Sequence, residues 1–124
     1  MRIYRSPTRV TPEVDFNLDD GFIKLRGVSS PENSLGFYAP LLKAVKHPAI
    51  NLSKLNVEIS FSYFNTSSSK CIYDLLKETK SLRRRGVEVS YTWFYEEDDE
   101  DMMECGEDFS DFLGIDMQFV EVIV

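Results

Sequence analysis

The chain has 124 residues and a mass of 14.3 kDa, enough for one domain that buries roughly two-thirds of the surface its unfolded form would expose. A composition of 43% apolar and 28% charged residues is that of a globular protein, with no apolar run near the roughly 20 residues that span a bilayer. Fourteen Lys and Arg stand against 21 Asp and Glu, and the resulting charge of -7 and pI near 4.7 repel phosphate backbones, which argues against a nucleic-acid partner.

The N-terminal stretch contains Pro7 and Pro12 and reads as extended chain or an edge strand. Val14, Phe16 and Leu18 alternate with polar neighbours, and Phe22 to Arg26 form a second short run after Asp20-Gly21. Apolar segments flanking Asp-Gly predict an antiparallel hairpin. Ser30-Pro31-Glu32 has the chemistry of a helix start, with a capping hydroxyl, proline at the first helical position and an acid near the positive dipole end. Leu35, Tyr38, Leu41, Leu42 and Val45 then recur at helical spacing. Pro40 predicts a kink or a split in that helix, and His47-Pro48 its end.

Leu55, Val57, Ile59, Phe61 and Tyr63 alternate with Asn56, Glu58, Ser60 and Ser62, which predicts a strand with one apolar face. After Asn65-Thr66-Ser67-Ser68-Ser69, a helix places Cys71, Ile72, Leu75, Leu76, Thr79 and Leu82 on one stripe. It closes on Arg83-Arg84-Arg85-Gly86, cations at the negative dipole end and a glycine for the left-handed cap. Val87, Val89, Tyr91, Trp93 and Tyr95 alternate in the next strand, completing a right-handed βαβ unit with parallel strands. Both strands keep one polar face, so the helices are expected on one side of a mixed sheet, with the other side open to solvent or a partner.

Ten of the 16 positions from Glu96 to Asp111 are acidic and none is basic. Met102, Met103, Phe109, Phe112 and Leu113 interleave with them, which predicts a helix with a solvated acidic face. The spacing does not follow a calcium-binding helix-loop-helix, which needs glycine and glutamate at fixed loop positions, and a divalent metal or a basic partner is the sharper alternative for this segment. Phe119, Val120, Val122, Ile123 and Val124 suggest a short final strand.

Little in this chain supports catalysis. His47 is the only histidine, no nucleophile lies near it in sequence, and neither nucleotide-binding glycine fingerprint occurs. Cys71 and Cys105 are too few for a disulfide framework and wrongly spaced for zinc. With no signal-peptide core at the N-terminus, a reduced, cytoplasmic, non-catalytic protein without cofactor is expected. The most informative cluster is Asn65-Thr66-Ser67-Ser68-Ser69, where a strand hands over to a helix. Its hydroxyls suit helix capping, and the same free N–H groups and dipole can hold a phosphoryl group, worth about 0.3–2 kcal/mol for the dipole contribution. A phosphate there would add about -1.5 to -2 charge to an exposed turn without unfolding it.

At these residues the chain resembles a known family. Ser6-Pro7-Thr8 with Thr11-Pro12-Glu13-Val14, then Gly27-Val28-Ser29-Ser30-Pro31-Glu32-Asn33, then Tyr63-Phe64-Asn65-Thr66-Ser67-Ser68-Ser69-Lys70 are similar to the SiaC family of bacterial regulatory phosphoproteins. Asp99-Glu100-Asp101-Met102 and Gly106-Glu107-Asp108-Phe109 resemble its C-terminal part. The resemblance implies an α/β domain like the STAS-type anti-sigma-factor antagonists of partner switching, here a single domain over residues 1–124. It also implies phosphorylation at Thr66, with Ser67, Ser68 and Ser69 as fallbacks and Asn65, Ser67 and Ser68 supporting the phosphate. The implied partners are a protein kinase using ATP and Mg, a PP2C-type phosphatase and a diguanylate cyclase or other signalling protein, in cyclic-di-GMP control of biofilm. Two other readings stand beside it. One is a constitutive binding adaptor using the polar sheet face with Tyr38, Phe64 and Phe94; the other is a metal-dependent enzyme on the acidic segment.

Overall fold

The alternation of apolar and polar side chains along the strands sets the architecture. The computed structural model describes residues 1–123 and contains strands β1 (Arg2–Arg5), β2 (Glu13–Asn17), β3 (Phe22–Ser29), β4 (Lys54–Phe64), β5 (Glu88–Glu96) and β6 (Met117–Val122). Helices α1 (Ser34–Lys46), α2 (Thr66–Ser81) and α3 (Glu100–Leu113) lie between the later strands. The six strands form one sheet in sequential order. β1, β2 and β3 pair antiparallel, while β3 to β6 run parallel with one helix in each crossover. All these crossovers step the same way across the sheet, and crossovers of this kind share one hand, so the helices fall on one face.

Burial follows that layering. Ile23, Leu25, Leu55, Val57, Ile59, Tyr91 and Trp93 are buried, whereas Lys24, Arg26, Asn56 and Ser90 are exposed on the opposite face. The mixed sheet, the one-sided helices and the parallel β4–α2–β5 unit are those the sequence predicts. The Asp20-Gly21 hairpin also forms, with Phe16 opposite Ile23. Gly21 has φ +85, and a Cβ there would collide with the Lys54 carbonyl, so the turn requires glycine. Gly86, also at φ +85, closes the short 3-10 turn Leu82–Arg85 that prolongs α2.

Several local expectations are corrected. Helix α1 begins three residues later than Ser30-Pro31 predicts. Asn33 is the cap, its Oδ1 accepting from the Gly36 N–H at 3.0 Å, while Ser30 lies just past the end of β3 and donates its N–H to the Val10 carbonyl at 2.7 Å. Pro40 neither splits nor ends the helix. It lies on the exposed side, and the carbonyl left without a donor belongs to exposed Gly36, where water can serve it. Leu35 points outward at 73% exposure, and the buried stripe runs instead through Ser34, Tyr38, Leu41 and Val45. The last strand starts at Met117 rather than Phe119, and Val124 lies outside the described residues.

Tyr63 is exposed, because β4 carries a bulge. Gly27 pairs with Phe61 but Val28 pairs with Tyr63, so Ser62 is an extra residue and the alternation inverts after it. Phe64 consequently turns inward, with ring centroids 6.5 Å from Trp93 and 6.2 Å from Phe109. Trp93 anchors α3 as well, its Nε1–H donating to the Met102 carbonyl at 3.0 Å. Gly106 lets the two approach: a Cβ there would lie 2.7 Å from Trp93 and 2.8 Å from Phe119.

A chain of hydroxyls joins the starts of α1 and α2 to the end of β3. Tyr38 OH lies 2.7 Å from Ser29 Oγ, which donates to Ser68 Oγ at 2.8 Å. Ser68 Oγ is 3.3 Å from Ser34 Oγ, and Ser34 Oγ is 2.8 Å from Ser67 Oγ, which donates to Asn65 Oδ1 at 3.2 Å. One donor direction, from Tyr38 to Asn65, satisfies every contact. Burial pushes the Tyr38 phenol up to about 12, so it remains protonated and can begin the chain.

Two stability predictions follow from these contacts. Gly106→Ala should cost about 1–3 kcal/mol in urea unfolding by overpacking against Trp93 and Phe119. Ser68→Ala should cost about 1–3 kcal/mol by leaving Ser29 and Ser34 short of a buried partner, and a loss within experimental error would contradict the relay.

Candidate functional site

Asn65 fixes the first turn of α2. Its Oδ1 accepts the Ser68 N–H at 2.9 Å, its carbonyl accepts the Ser69 N–H at 3.0 Å, and its own N–H is held by the Ser29 carbonyl at 3.0 Å. Thr66 is therefore the first helical residue. Successive helical residues differ by about 100° in direction, so the cap decides where each hydroxyl of the cluster points.

The four hydroxyls separate accordingly. Thr66 is exposed, and its Oγ1 forms no hydrogen bond among the described residues. Ser67 is exposed at the surface but its Oγ is engaged by Asn65 and Ser34. Ser69 is half-buried. Ser68 is fully buried and tied to Ser29 and Ser34, so it does not serve as a fallback acceptor for phosphate, a correction to the sequence expectation. Its supporting role is restricted to the backbone N–H, which Asn65 already occupies. The N–H groups of Thr66 and Ser67 have no intrahelical acceptor by position and face the same end as the dipole's positive pole. Lys70, four residues after Thr66 and on the same side of the helix, is exposed and paired with Asp74 at 2.9 Å. That contact holds its ammonium above the usual lysine range.

The other readings fare less well as sites. Tyr38 is in the core and Phe64 packs under α3, so of the three aromatics named with the polar sheet face as an adaptor surface, Phe94 is the one beside Lys24, Arg26 and Glu58 on that face. Lys24 Nζ lies 3.6 Å from Glu58, and Arg26 bonds Glu13 at 2.7 Å, so charges on this face are largely matched within the sheet. Along α3 the acids face solvent, and among the described residues no three His, Cys, Asp or Glu side chains converge as a metal set would. Asp99 caps this helix, accepting from Met102 N–H at 3.1 Å, and Glu100 and Asp101 complement its dipole.

Ser29 and Ser34, which with Tyr38 hold the hydroxyl cluster from behind, are the residues that local motif reading misses. Their signal is present in the periodicity. Ser29 continues the inward positions Ile23 and Leu25, and Ser34 begins the buried stripe of Tyr38, Leu41 and Val45. A hydroxyl on an apolar face needs a buried partner.

Known proteins share both sequence and fold with this chain. A curated relative, an uncharacterized protein of Pseudomonas aeruginosa (strain UCBPP-PA14), is 29% identical over 103 residues, 82% of each chain. The solved structure of SiaC of Pseudomonas aeruginosa superposes with TM-score 0.84 at 24% identity, over 100% of this chain and 99% of the other. The structure of diguanylate cyclase SiaD in complex with its activator SiaC, from the same organism, matches with TM-score 0.88 at 25% identity, over 97% of this chain and 99% of that one. The architecture is thus the STAS-like fold of SiaC. A family model described as SiaC family regulatory phosphoprotein matches residues 5–122, and the chain belongs to that family.

Proposed function

We propose that this chain is a non-catalytic switch set by phosphorylation of Thr66. The observation that carries the reading is the contrast within four consecutive hydroxyls: Thr66 Oγ1 alone is both exposed and free of hydrogen bonds among the described residues, at the first position of α2. A partner kinase using ATP and Mg transfers the γ-phosphoryl group to Thr66 Oγ1. The new O–P bond replaces the bond to the leaving ADP, and a base of the kinase takes the hydroxyl proton. The product dianion is stabilised by the first-turn N–H groups, and Lys70 at the fourth residue onward can turn to it from Asp74. A PP2C-type phosphatase reverses the step by hydrolysis.

The fold tolerates this modification because nothing buried has to move. The added charge changes what can dock beside α2. In its unphosphorylated form the chain is proposed to bind and activate a diguanylate cyclase and so raise cyclic-di-GMP, as the complex of SiaD with its activator SiaC suggests for this family.

Incubation with the partner kinase and ATP should add one phosphoryl group by intact mass. The gain should persist in Thr66→Ser and vanish in Thr66→Ala; a gain that survives in Thr66→Ala would move the site to Ser67 or Ser69. By calorimetric titration, cyclase affinity should be equal for wild type and Thr66→Ala and lower for the phosphorylated protein. Thr66→Glu should fall between, since a carboxylate carries less charge and fewer oxygens than phosphate. Equal affinity for modified and unmodified protein would instead favour a constitutive adaptor.

A further inference from the structure

The two edges of the sheet are built differently. β1, at one edge, has four residues with Arg2 and Arg5 among them, and Pro7 follows closely. Short length, cations and proline keep a strand edge from pairing with other chains. β6, at the other edge, runs for six residues without proline or cation, and Glu121 is its single charge. The register with β5 shows which of its backbone groups stay open. The Val122 carbonyl accepts the Glu97 N–H at 2.9 Å, so the backbone of Val122 faces β5. Alternate residues share that direction, which turns Gln118 and Val120 the same way and leaves the N–H and C=O groups of Met117, Phe119 and Glu121 facing outward. No further strand pairs with them among the described residues. Side chains alternate as well. Phe119 meets Gly106 under α3, so Glu121 lies on the helix side, while Val120 and Val122 lie on the open side, where Val122 borders a hollow with Phe94.

Charge is divided as sharply. Thirteen of the 21 acids and none of the 14 cations follow Gly86, in β5, α3, β6 and their connections. None of those acids forms an ion pair among the described residues, whereas Glu13, Asp15, Glu58, Asp74 and Glu78, all earlier in the chain, are each paired with a cation. Helix α3 turns part of this unmatched charge toward β6. Cys105, Asp108 and Phe112 line a hollow together with residues of α2, which marks the flank of α3 on that side. At about 100° per residue, Met103, Glu107 and Asp111 fall on the opposite flank, and the strand order places β6 on that side.

Unpaired N–H and C=O groups at every second residue match an extended chain, which can bond to them in a ladder. Joining two copies of this protein through β6 would set one unmatched acidic flank beside another, and like charges oppose that association. We propose that the outer edge of β6 takes up one extended segment of a partner protein, with Lys or Arg at every second position facing Glu121 and α3, and apolar residues between them beside Val120 and Val122. The backbone ladder holds the segment, and the alternation of charge sets which of its faces turns toward the helices. This contact is separate from Thr66 and does not rest on the phospho-switch.

The probe is a short synthetic peptide of alternating lysine and valine, labelled and titrated with the purified full-length chain by fluorescence anisotropy. It should bind saturably, and the same peptide with an N-methyl group on every backbone nitrogen, which keeps the charge and loses the donors, should bind about tenfold more weakly or worse. Glu121→Pro removes an outward N–H from an exposed residue and leaves the β5 ladder intact, and it should weaken binding about tenfold, whereas Glu121→Gln should change it by less than about threefold. The double variant Glu107→Lys, Asp111→Lys should also weaken it about tenfold, and Thr66→Ala should bind as wild type. In the complex, amide exchange should slow at Phe119 and Glu121 and stay unchanged at Val120, which already faces β5. Unchanged thermal unfolding will show that the variants fold. Absence of saturable binding, or equal binding of the N-methylated peptide, overturns strand addition. Wild-type binding by the lysine double variant overturns the basic occupant. Sedimentation showing a dimer that Glu121→Pro dissociates would make the occupant a second copy and overturn the partner named here.

Discussion

One short contact, from Asn65 Oδ1 to the N–H of Ser68, sets the rest of the site. It fixes the residue at which α2 begins and hence the direction of each following side chain. Four adjacent hydroxyls of nearly equal chemistry are thereby given different surroundings. Ser68 is turned into the sheet, Ser67 is spent on Ser34 and Asn65, and Thr66 is left in solvent. A shift of one residue in the cap would rotate the helix start by about 100° and exchange these environments. In the proposed switch, selection of one oxygen begins with helix register, before any enzyme is involved.

The hydroxyl chain explains why that register is firm. Tyr38, Ser29, Ser68, Ser34 and Ser67 connect β3, α1 and α2 through side chains that are buried or half-engaged, and among the described residues no buried side-chain polar atom lacks a partner. In a low-dielectric surrounding, such a network is costly to leave half-made. The start of α2 is therefore held from three directions while Thr66 itself contributes nothing to the packing. A residue free of structural duty can gain and lose charge repeatedly without taxing the fold.

Much of this was legible in sequence, for identifiable reasons. The hairpin at Asp20-Gly21, the buried stripe of α2 and the cap glycine Gly86 each depend on local chemistry, and each forms where the pattern places it. The one-sided layering followed from polar residues alternating through two parallel strands. What failed depended on distant contacts. Ser62 looks like any outward strand residue, so the bulge that inverts Tyr63 and Phe64 is invisible without β3 alongside. Ser30-Pro31 and Asn33 are both competent helix starts, and the choice between them was made by the Ser30 bond to Val10. Tyr38 looked available as a contact aromatic because its partners, Ser29 and the core around it, lie in other elements.

The central claim is that helix register leaves Thr66 as the one hydroxyl of the cluster open to phosphoryl transfer. Fragmentation mass spectrometry of the kinase-treated wild-type protein, read residue by residue across the segment from Ser62 to Lys77, addresses it most directly. The phosphate should localise to Thr66. Localisation to Ser67 or Ser69, or to Ser68, which is fully buried and bonded on both sides, would contradict the account.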